Sequence, residues 1–585
     1  MDRQASQRWL HPRQRRAPDA QDYDWEANEH ALPRKDSAAV QQHLEGRRAL
    51  IVREKEQRSD HAFRKSLSPD AAKACAIVAQ IRAEEQQTTW RAPLDDPTQS
   101  DELYPGMMFS LAKERMEATK LFSILSRFPK GTLLHAHMGA MVDLDCIIHW
   151  ALTTPGIHMR SPVPLHTAQN RHEAAFSFVY SRTASASTCS IWSPEYSPTT
   201  LIPASETADT FPNGGREGFT AWVKDRCSIT QAESISHHYG VDDIWRKFSS
   251  AFPIISSITY YEPIYRKFLQ RLFTSLVEDG VQWIDVREAY YTQFRREGHD
   301  EPEVGYEALF RVLDEELIKF KASEKGRHFW GARVIWTSLR IQNTNNIISH
   351  MKQCIDLKKK FPHLISGYDL VGQEDLGRPL KDVIPELLWF REECQKENLE
   401  IPFLFHAGEC LGDGDDTDEN LFDAIVLGTR RIGHGFSLYK HPLLIDLVKE
   451  KKILIESCPI SNEILRLSAS ILSHPLPALL SRNVPTSLCN DDPAILGQDA
   501  SGMTHDFWQA LQGWQNLGLA GLGSLAENSV RWALFEDQNG DEWLKDITDG
   551  AAGTGLRARR MREWKASWEI YCQWIKAEYG EKYST

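Results

Sequence analysis

The sequence predicts an α/β protein built on a TIM-like (β/α)8 barrel, with an N-terminal helical extension and a long insertion after the first strand. Eight short apolar segments recur along the chain, most of them followed by a stretch of helical periodicity. Their polar residues gather at the carboxyl ends. No G-x-G-x-x-G opens a helix, which removes the main support for an open doubly wound sheet.

The segments are GTLLHAH (131–137), VQWIDVRE (281–288), GARVIWTSL (331–339), LISGYDLVG (364–372), IPFLFHAGE (401–409), RRIGHGF (430–436), ILIESCP (453–459) and VPTSLCNDDP (484–493). Near-continuous apolar runs of this kind read as strands covered on both faces, as in a parallel sheet. Between them, YEALFRVLDEELIKF (306–320), LKDVIPELLWFREECQKE (380–397) and HPLLIDLVKEKK (441–452) place apolar residues three and four apart. Such alternation builds a parallel sheet with helices outside, and a count of eight suggests closure.

Upstream, residues 1–40 are polar and are expected to form a disordered tail. Residues 41–128 read as a helical arm, on the strength of AAKACAIVAQIRAEE (71–85) and FSLAKERMEATKLFSILSRF (109–128). The interval between the first two strands is far longer than a usual βα connection. Its stretch 181–215 is rich in Ser, Thr and Pro, so residues 150–243 read as an inserted module. The barrel then takes 129–149 and 244–585, including C-terminal helices.

The 585 residues are 41% hydrophobic, enough to bury a sizeable core. A formal charge of −13 gives no support for nucleic acid as a partner. No run of about 18 apolar residues exists, so no membrane span is expected. The start, MDRQASQRWLHPRQRR, lacks the apolar region of a secretory signal; it is compatible with a transit peptide but reads better as a basic tail. The ten cysteines form no CxxC pair and no N-x-S/T sequon occurs, so a cytoplasmic location is expected.

The chemistry sits where polar residues interrupt the strands. His135 and His137, two apart, share one face of the first. His406 and Glu409 close the fifth, His434 lies in the sixth, and Asp491 and Asp492 close the eighth. In a parallel barrel those ends converge on one rim. Each residue has an ordinary explanation: a satisfied polar histidine, a helix cap at Glu409, a turn at DDP. Those explanations must hold separately at four strands, whereas one metal site covers them together. Three neutral imidazoles and one carboxylate suit a zinc-like ion. An open coordination position would hold a water whose pKa falls from about 15.7 towards 7. Five-coordination is implied, and His434 and Glu409 are left for proton traffic.

In this order FPKGTLLHAH, HAGE, RIGHG, SCPISN and CNDDP resemble the adenosine deaminase branch of the metal-dependent amidohydrolases. The gap after the first strand, the helical N-terminus, IWRKFSSAFPIISSITYYEPIYRKFLQ (244–270) and GYDLVGQEDLG (367–377) are similar to the adenosine deaminase growth factor group, the adenosine deaminase 2 type. The resemblance runs from about residue 105 to 535, more loosely in the insert. It implies one Zn2+ per chain held by His135, His137, His406 and Asp491. It implies that Glu409 protonates purine N1, that His434 orients or deprotonates the attacking water, and that Asp492 binds N7. Gly372 matches a backbone donor to N3, and Trp245 a tryptophan lying against the nucleoside, although WRKF is equally a helical core pattern.

The implied activity is hydrolysis of adenosine, and of 2′-deoxyadenosine, to the inosine product and ammonia. A homodimer through the N-terminal helices is also implied; helical amphipathicity alone fits equally packing within one chain. The sequence departs from the family on the sugar side. Met138 and Gly139 stand where an aspartate usually meets the ribose 5′ end, and Asp143 is the nearest carboxylate. That opens an alternative, a deaminase of AMP or another 5′-phosphorylated adenine nucleotide. The cysteine that the family places earlier in the insert has no obvious counterpart ahead of Cys189, which points to a relative without extracellular growth factor activity. A further alternative is a binding or signalling protein on a dead barrel, against which the intact convergent charges argue.

Overall fold

The structure is a computed structural model that describes residues 32–90, 104–183, 189–236, 240–412, 414–499 and 502–583. The chain divides into two compact units, residues 1–57 and 58–585. In the first, most of the expected disordered tail lies outside the described residues, and helix Ala38–Glu56 buries none of its side chains.

The second unit holds eight parallel strands: β1 (Gly131–Leu133), β2 (Val281–Ala289), β3 (Gly331–Leu339), β4 (Ile365–Val371), β5 (His406–Ala407), β6 (Arg431–His434), β7 (Leu454–Ser457) and β8 (Thr486–Leu488). Continuous ladders join β1 to β4 and β5 to β8. The two halves close at both seams. Tyr368 N donates to Pro402 O at 2.9 Å and Leu404 N to Tyr368 O at 3.0 Å. At the other seam His137 N donates to Asp491 O at 3.0 Å and Asp491 N to His135 O at 3.2 Å. The result is a closed barrel.

Strand alternation sorts side chains to its two faces. In β2, Ile284 and Val286 join the hydrophobic core while Asp285 and Arg287 enter the polar interior. The helices between strands are amphipathic: Glu307–Lys321 buries Leu309, Phe310, Leu313, Leu317 and Phe320 at helical spacing. Among the described residues no helix is long and apolar enough to cross a membrane.

The periodic stretch 109–128 is two helices, Phe109–Glu117 and Lys120–Ser126. Thr119 divides them, because its hydroxyl accepts from Phe122 N and starts a new helix. Helix Pro69–Thr88 buries Ala71, Ala74, Ile77, Val78 and Ile81 and is tied to the C-terminal helix Leu556–Tyr579 by Lys576–Asp70 at 2.7 Å and Ser68–Glu569 at 2.6 Å. Within 150–243 a small antiparallel sheet sets Ile157–Arg160 between Ser177–Tyr180 and Ile202–Pro203, with helix Val241–Thr259 packed on Ser177–Tyr180. Tyr180 stacks on Tyr261 at 4.3 Å, seating this sheet beside the barrel.

Candidate active site

The barrel mouth brings together residues that lie far apart in the chain. Asp491 Oδ1 sits 3.1 Å from His135 Nε2 and 3.2 Å from His137 Nε2. One ligand atom from each of His135, His137, His406 and Asp491 lies within 4.8 Å of the other three, and all four residues are buried. His135 Nε2 and Asp491 Oδ1 are buried without a hydrogen-bond partner, so their short contact is two lone-pair donors aimed at one point. That orphaned convergence fits a divalent cation.

Two strand positions break the alternation so that neighbours can share the site. Asp491 (φ 59°) and His434 (φ 61°) take the left-handed conformation, which costs a non-glycine residue on the order of 1–3 kcal/mol. Asp491 and Asp492 can thereby both turn towards the mouth. Gly433 makes room: a Cβ there would lie 2.7 Å from His135 Cε1.

Behind the imidazoles stands a layer of buried charge. His135 Nδ1 meets Glu456 Oε2 at 2.8 Å, and His406 Nδ1 meets Asp369 Oδ2 at 2.6 Å. Each carboxylate holds the ring proton on Nδ1 and leaves the Nε2 lone pair facing the cluster. Arg287 joins the two, donating to Asp369 Oδ2 at 2.8 Å and Glu456 Oε2 at 2.7 Å. Arg431 donates to Glu456 and, at 2.7 Å, to Asp285 Oδ2. Sequence reasoning missed this layer. Its signal was a charge inside each apolar run: Arg287 in VQWIDVRE, Asp369 in LISGYDLVG, Glu456 in ILIESCP.

Electrostatics separates the roles. Burial pushes His406 down to about 3 against the pull of Asp369, and it also lowers His137. Burial holds His434 well below the usual histidine range. For His135 burial and Arg287 act downward, but Asp491 and Glu456 outweigh them and raise it. Burial favours protonation of Asp491, yet His434, His135 and His137 keep it ionised. Glu409 goes the other way: burial, then the charges of Asp491 and Glu374, raise it well above the carboxylate range. Burial and Asp491 do the same to Asp492, whose two carboxylate oxygens are buried without partners.

Glu409 Oε1 lies 3.3 Å from His434 Nε2, and Asp491 Oδ2 is 3.7 Å from the same nitrogen. Glu374 accepts from Gly408 N at 3.3 Å and Glu409 N at 2.9 Å, fixing the loop that carries Glu409. Gly372 (φ 114°) follows β4 in a conformation only glycine takes readily, at the mouth beside Arg340. Trp245 is buried in helix Val241–Thr259 and packs edge-on against Phe248 at 5.2 Å. Phe248 packs against Phe252 at 5.2 Å, and Phe252 lies 6.5 Å from His137. Trp245 thus ends an aromatic row leading to the cluster. Met138, next to His137, is buried.

The family model for adenosine deaminase matches residues 228–549. An adenosine deaminase of Lutzomyia longipalpis is 31% identical over 470 residues, covering 79% of this chain and 82% of that protein. Adenosine deaminase 2-A of Danio rerio is 28% identical over 445 residues, 75% of this chain and 82% of its own. Adenosine deaminase 2 of Homo sapiens is 30% identical over 459 residues, 76% and 84%. With a closed parallel barrel, a buried cluster of three histidines and an aspartate at its mouth, and this similarity over most of its length, the chain belongs to the adenosine deaminase family.

Proposed function

We propose that the protein hydrolyses adenosine, and 2′-deoxyadenosine, to the inosine product and ammonia, using one Zn2+ held by His135, His137, His406 and Asp491. The observation that carries this is the buried convergence of His135, His137, His406 and Asp491, with the Glu409 carboxyl 3.3 Å from His434 Nε2 at its edge. The relatives named adenosine deaminase and adenosine deaminase 2 support the same substrate.

Bound there, the cation would supply a water acidic enough to yield a nucleophile near neutral pH. Glu409 gives its proton to N1 of the purine, drawing electrons from C6. His434, between Glu409 and Asp491, orients the attacking water. Asp492, kept protonated by burial and by Asp491, offers a hydrogen bond to N7. Gly372 holds the N3 edge, and Trp245 with its aromatic row borders the nucleoside. The water oxygen stays on C6. Its two protons end on the leaving amine and, with Glu409 as carrier, at N1.

Purified protein supplied with zinc should convert adenosine with release of ammonia; silence across a purine panel ends the proposal. Met138 in place of a carboxylate favours a second reading, AMP or another 5′-phosphorylated adenine nucleotide, since no acid there would repel phosphate. A large kcat/KM preference for AMP over adenosine would select it. Residues 150–243 are proposed as an inserted module and 41–128 as a helical arm that builds a homodimer. Sedimentation of the full chain tests the dimer, and a monomer at all concentrations rejects it.

A further inference from the structure

The SCPISN segment contributes a side chain that the reaction above does not use. Asn462, in helix Pro459–Ile464, is fully buried and lies between two histidines. Its Nδ2 is 3.1 Å from His434 Nδ1, and its Oδ1 is 3.1 Å from His474 Nε2. We infer that Asn462 and His474 are positioning residues that hold His434 with its proton on Nε2, so that this ring meets the attacking water as a donor.

The direction of the relay is set at its far end. Leu476 N donates to His474 Nδ1 at 3.1 Å. A backbone amide can only donate, so Nδ1 of His474 carries a lone pair. His474 is buried, edge-on to Phe436 at 5.4 Å and beside Trp514 at 5.8 Å, and burial pushes it down to about 3. It is therefore neutral, with its single proton on Nε2, which donates to Asn462 Oδ1. The amide is then fixed with Nδ2 towards His434, donating to Nδ1. A neutral ring that accepts at Nδ1 carries its proton on Nε2.

The contrast with the neighbouring imidazoles gives this its chemical content. His135 and His406 present Nδ1 to the carboxylates of Glu456 and Asp369, which keeps the Nε2 lone pairs available to a cation. His434 stands among the same atoms, within 4.8 Å of donors of His135, Asp491, His406 and Glu409. It presents Nδ1 to an amide N–H instead. Its Nε2 then has no lone pair for an ion, and it cannot accept the first proton of the water. A backbone amide at Leu476, passed through two side chains, separates the orienting histidine from the ligands.

The assignment rests on the deaminase reading for its consequence, not for its geometry. The test is a long-range proton–nitrogen correlation spectrum of the zinc-loaded full chain with 15N-labelled histidine, the His434 signals being identified by their loss in His434→Asn. A bare Nδ1 and a protonated Nε2 are expected. In Asn462→Asp the new carboxylate, when ionised beside the two imidazoles, can only accept, so Nδ1 gains a proton, which the same spectrum reads; kcat should then fall about tenfold to a hundredfold, with KM and bound zinc little changed. His474→Gln, whose amide can still donate to Asn462, should retain the wild-type tautomer and most of the activity, whereas His474→Leu should not. A bare Nε2 in the wild-type spectrum overturns the inference, as does an unchanged kcat in an Asn462→Asp protein whose spectrum shows Nδ1 protonated. The wild-type spectrum decides alone if the variants fail to fold. Wild-type protein inactive on adenosine but with the expected spectrum would sink the deaminase reading and leave the tautomer standing.

Discussion

Glu456 Oε2 lies 2.8 Å from Nδ1 of His135, and neither side chain has any exposure to solvent. The same carboxylate answers Arg287 and Arg431, so it orients a candidate ligand and neutralises the barrel interior at once. Glu456→Gln removes the charge and keeps the shape. Zinc affinity should fall about 10–100-fold, and stability by about 3 kcal/mol, because a buried ion network loses one partner. Metal content after dialysis and denaturant unfolding measure the two effects. A variant unchanged in both would mean that the layer behind the imidazoles has no part in the site.

Glu409→Gln should lower kcat by about 10²–10⁴-fold, the usual worth of a positioned general acid. Bound zinc should be unchanged if the ligands are His135, His137, His406 and Asp491, although the Glu409 carboxylate also lies within 4.8 Å of nitrogens of His406 and His434. Turnover and metal analysis on one preparation check this. Loss of zinc along with activity would move Glu409 into the ligand set.

Gly433→Ala changes no candidate ligand, yet its methyl carbon would lie 2.7 Å from His135 Cε1. Relief of that clash requires the imidazole to leave the position in which Glu456 holds it. The expected outcome is a loss of bound zinc approaching that of His135→Ala, with the rate falling in step. Full zinc occupancy in Gly433→Ala would show that the ring has room that the packing denies.

Glu463 sits in helix Pro459–Ile464, buried beneath Phe109, and burial raises it to about 8 against the hydrogen bonds from Phe109 N and Ile471 N. The folded state therefore holds a proton that the unfolded state releases near pH 4.5. Between that pH and about 8 the native form binds more protons, so this group makes stability fall as pH rises, by up to about 1.4 kcal/mol per pH unit. Glu463→Gln should remove that slope: relative to wild type the variant gains stability from pH 5 to pH 8. Urea unfolding at both pH values measures it, and parallel curves would refute it.

The two kinds of knowledge divide along the distance over which a residue acts. Period-two and period-3.6 patterns act over a few residues, so the eight strands, the helices between them and the interrupted stretch after β1 could be read from the chain. So could His135 and His137, because two apart on a strand means one face. The boundaries were less legible. IPFLFHAGE shrinks to His406–Ala407 because the β4–β5 seam is made by single bridges, not by a ladder. The helix break at Thr119 turned on one hydroxyl taking a backbone donor.

The sequence by itself determined which residue types stand at the carboxyl ends of the strands, and with them a barrel mouth rich in imidazole and carboxylate. Only the tertiary structure decided what each of them is. Whether a histidine offers a lone pair or a proton depends on the group at its other nitrogen. For His135 and His406 that is a carboxylate from another strand, Glu456 or Asp369; for His434 it is the amide of Asn462. How tightly Glu409 holds a proton depends on its burial and on the nearness of Asp491 and Glu374. Charge, burial and hydrogen-bond direction are properties of neighbours, and closing the barrel is what makes these residues neighbours.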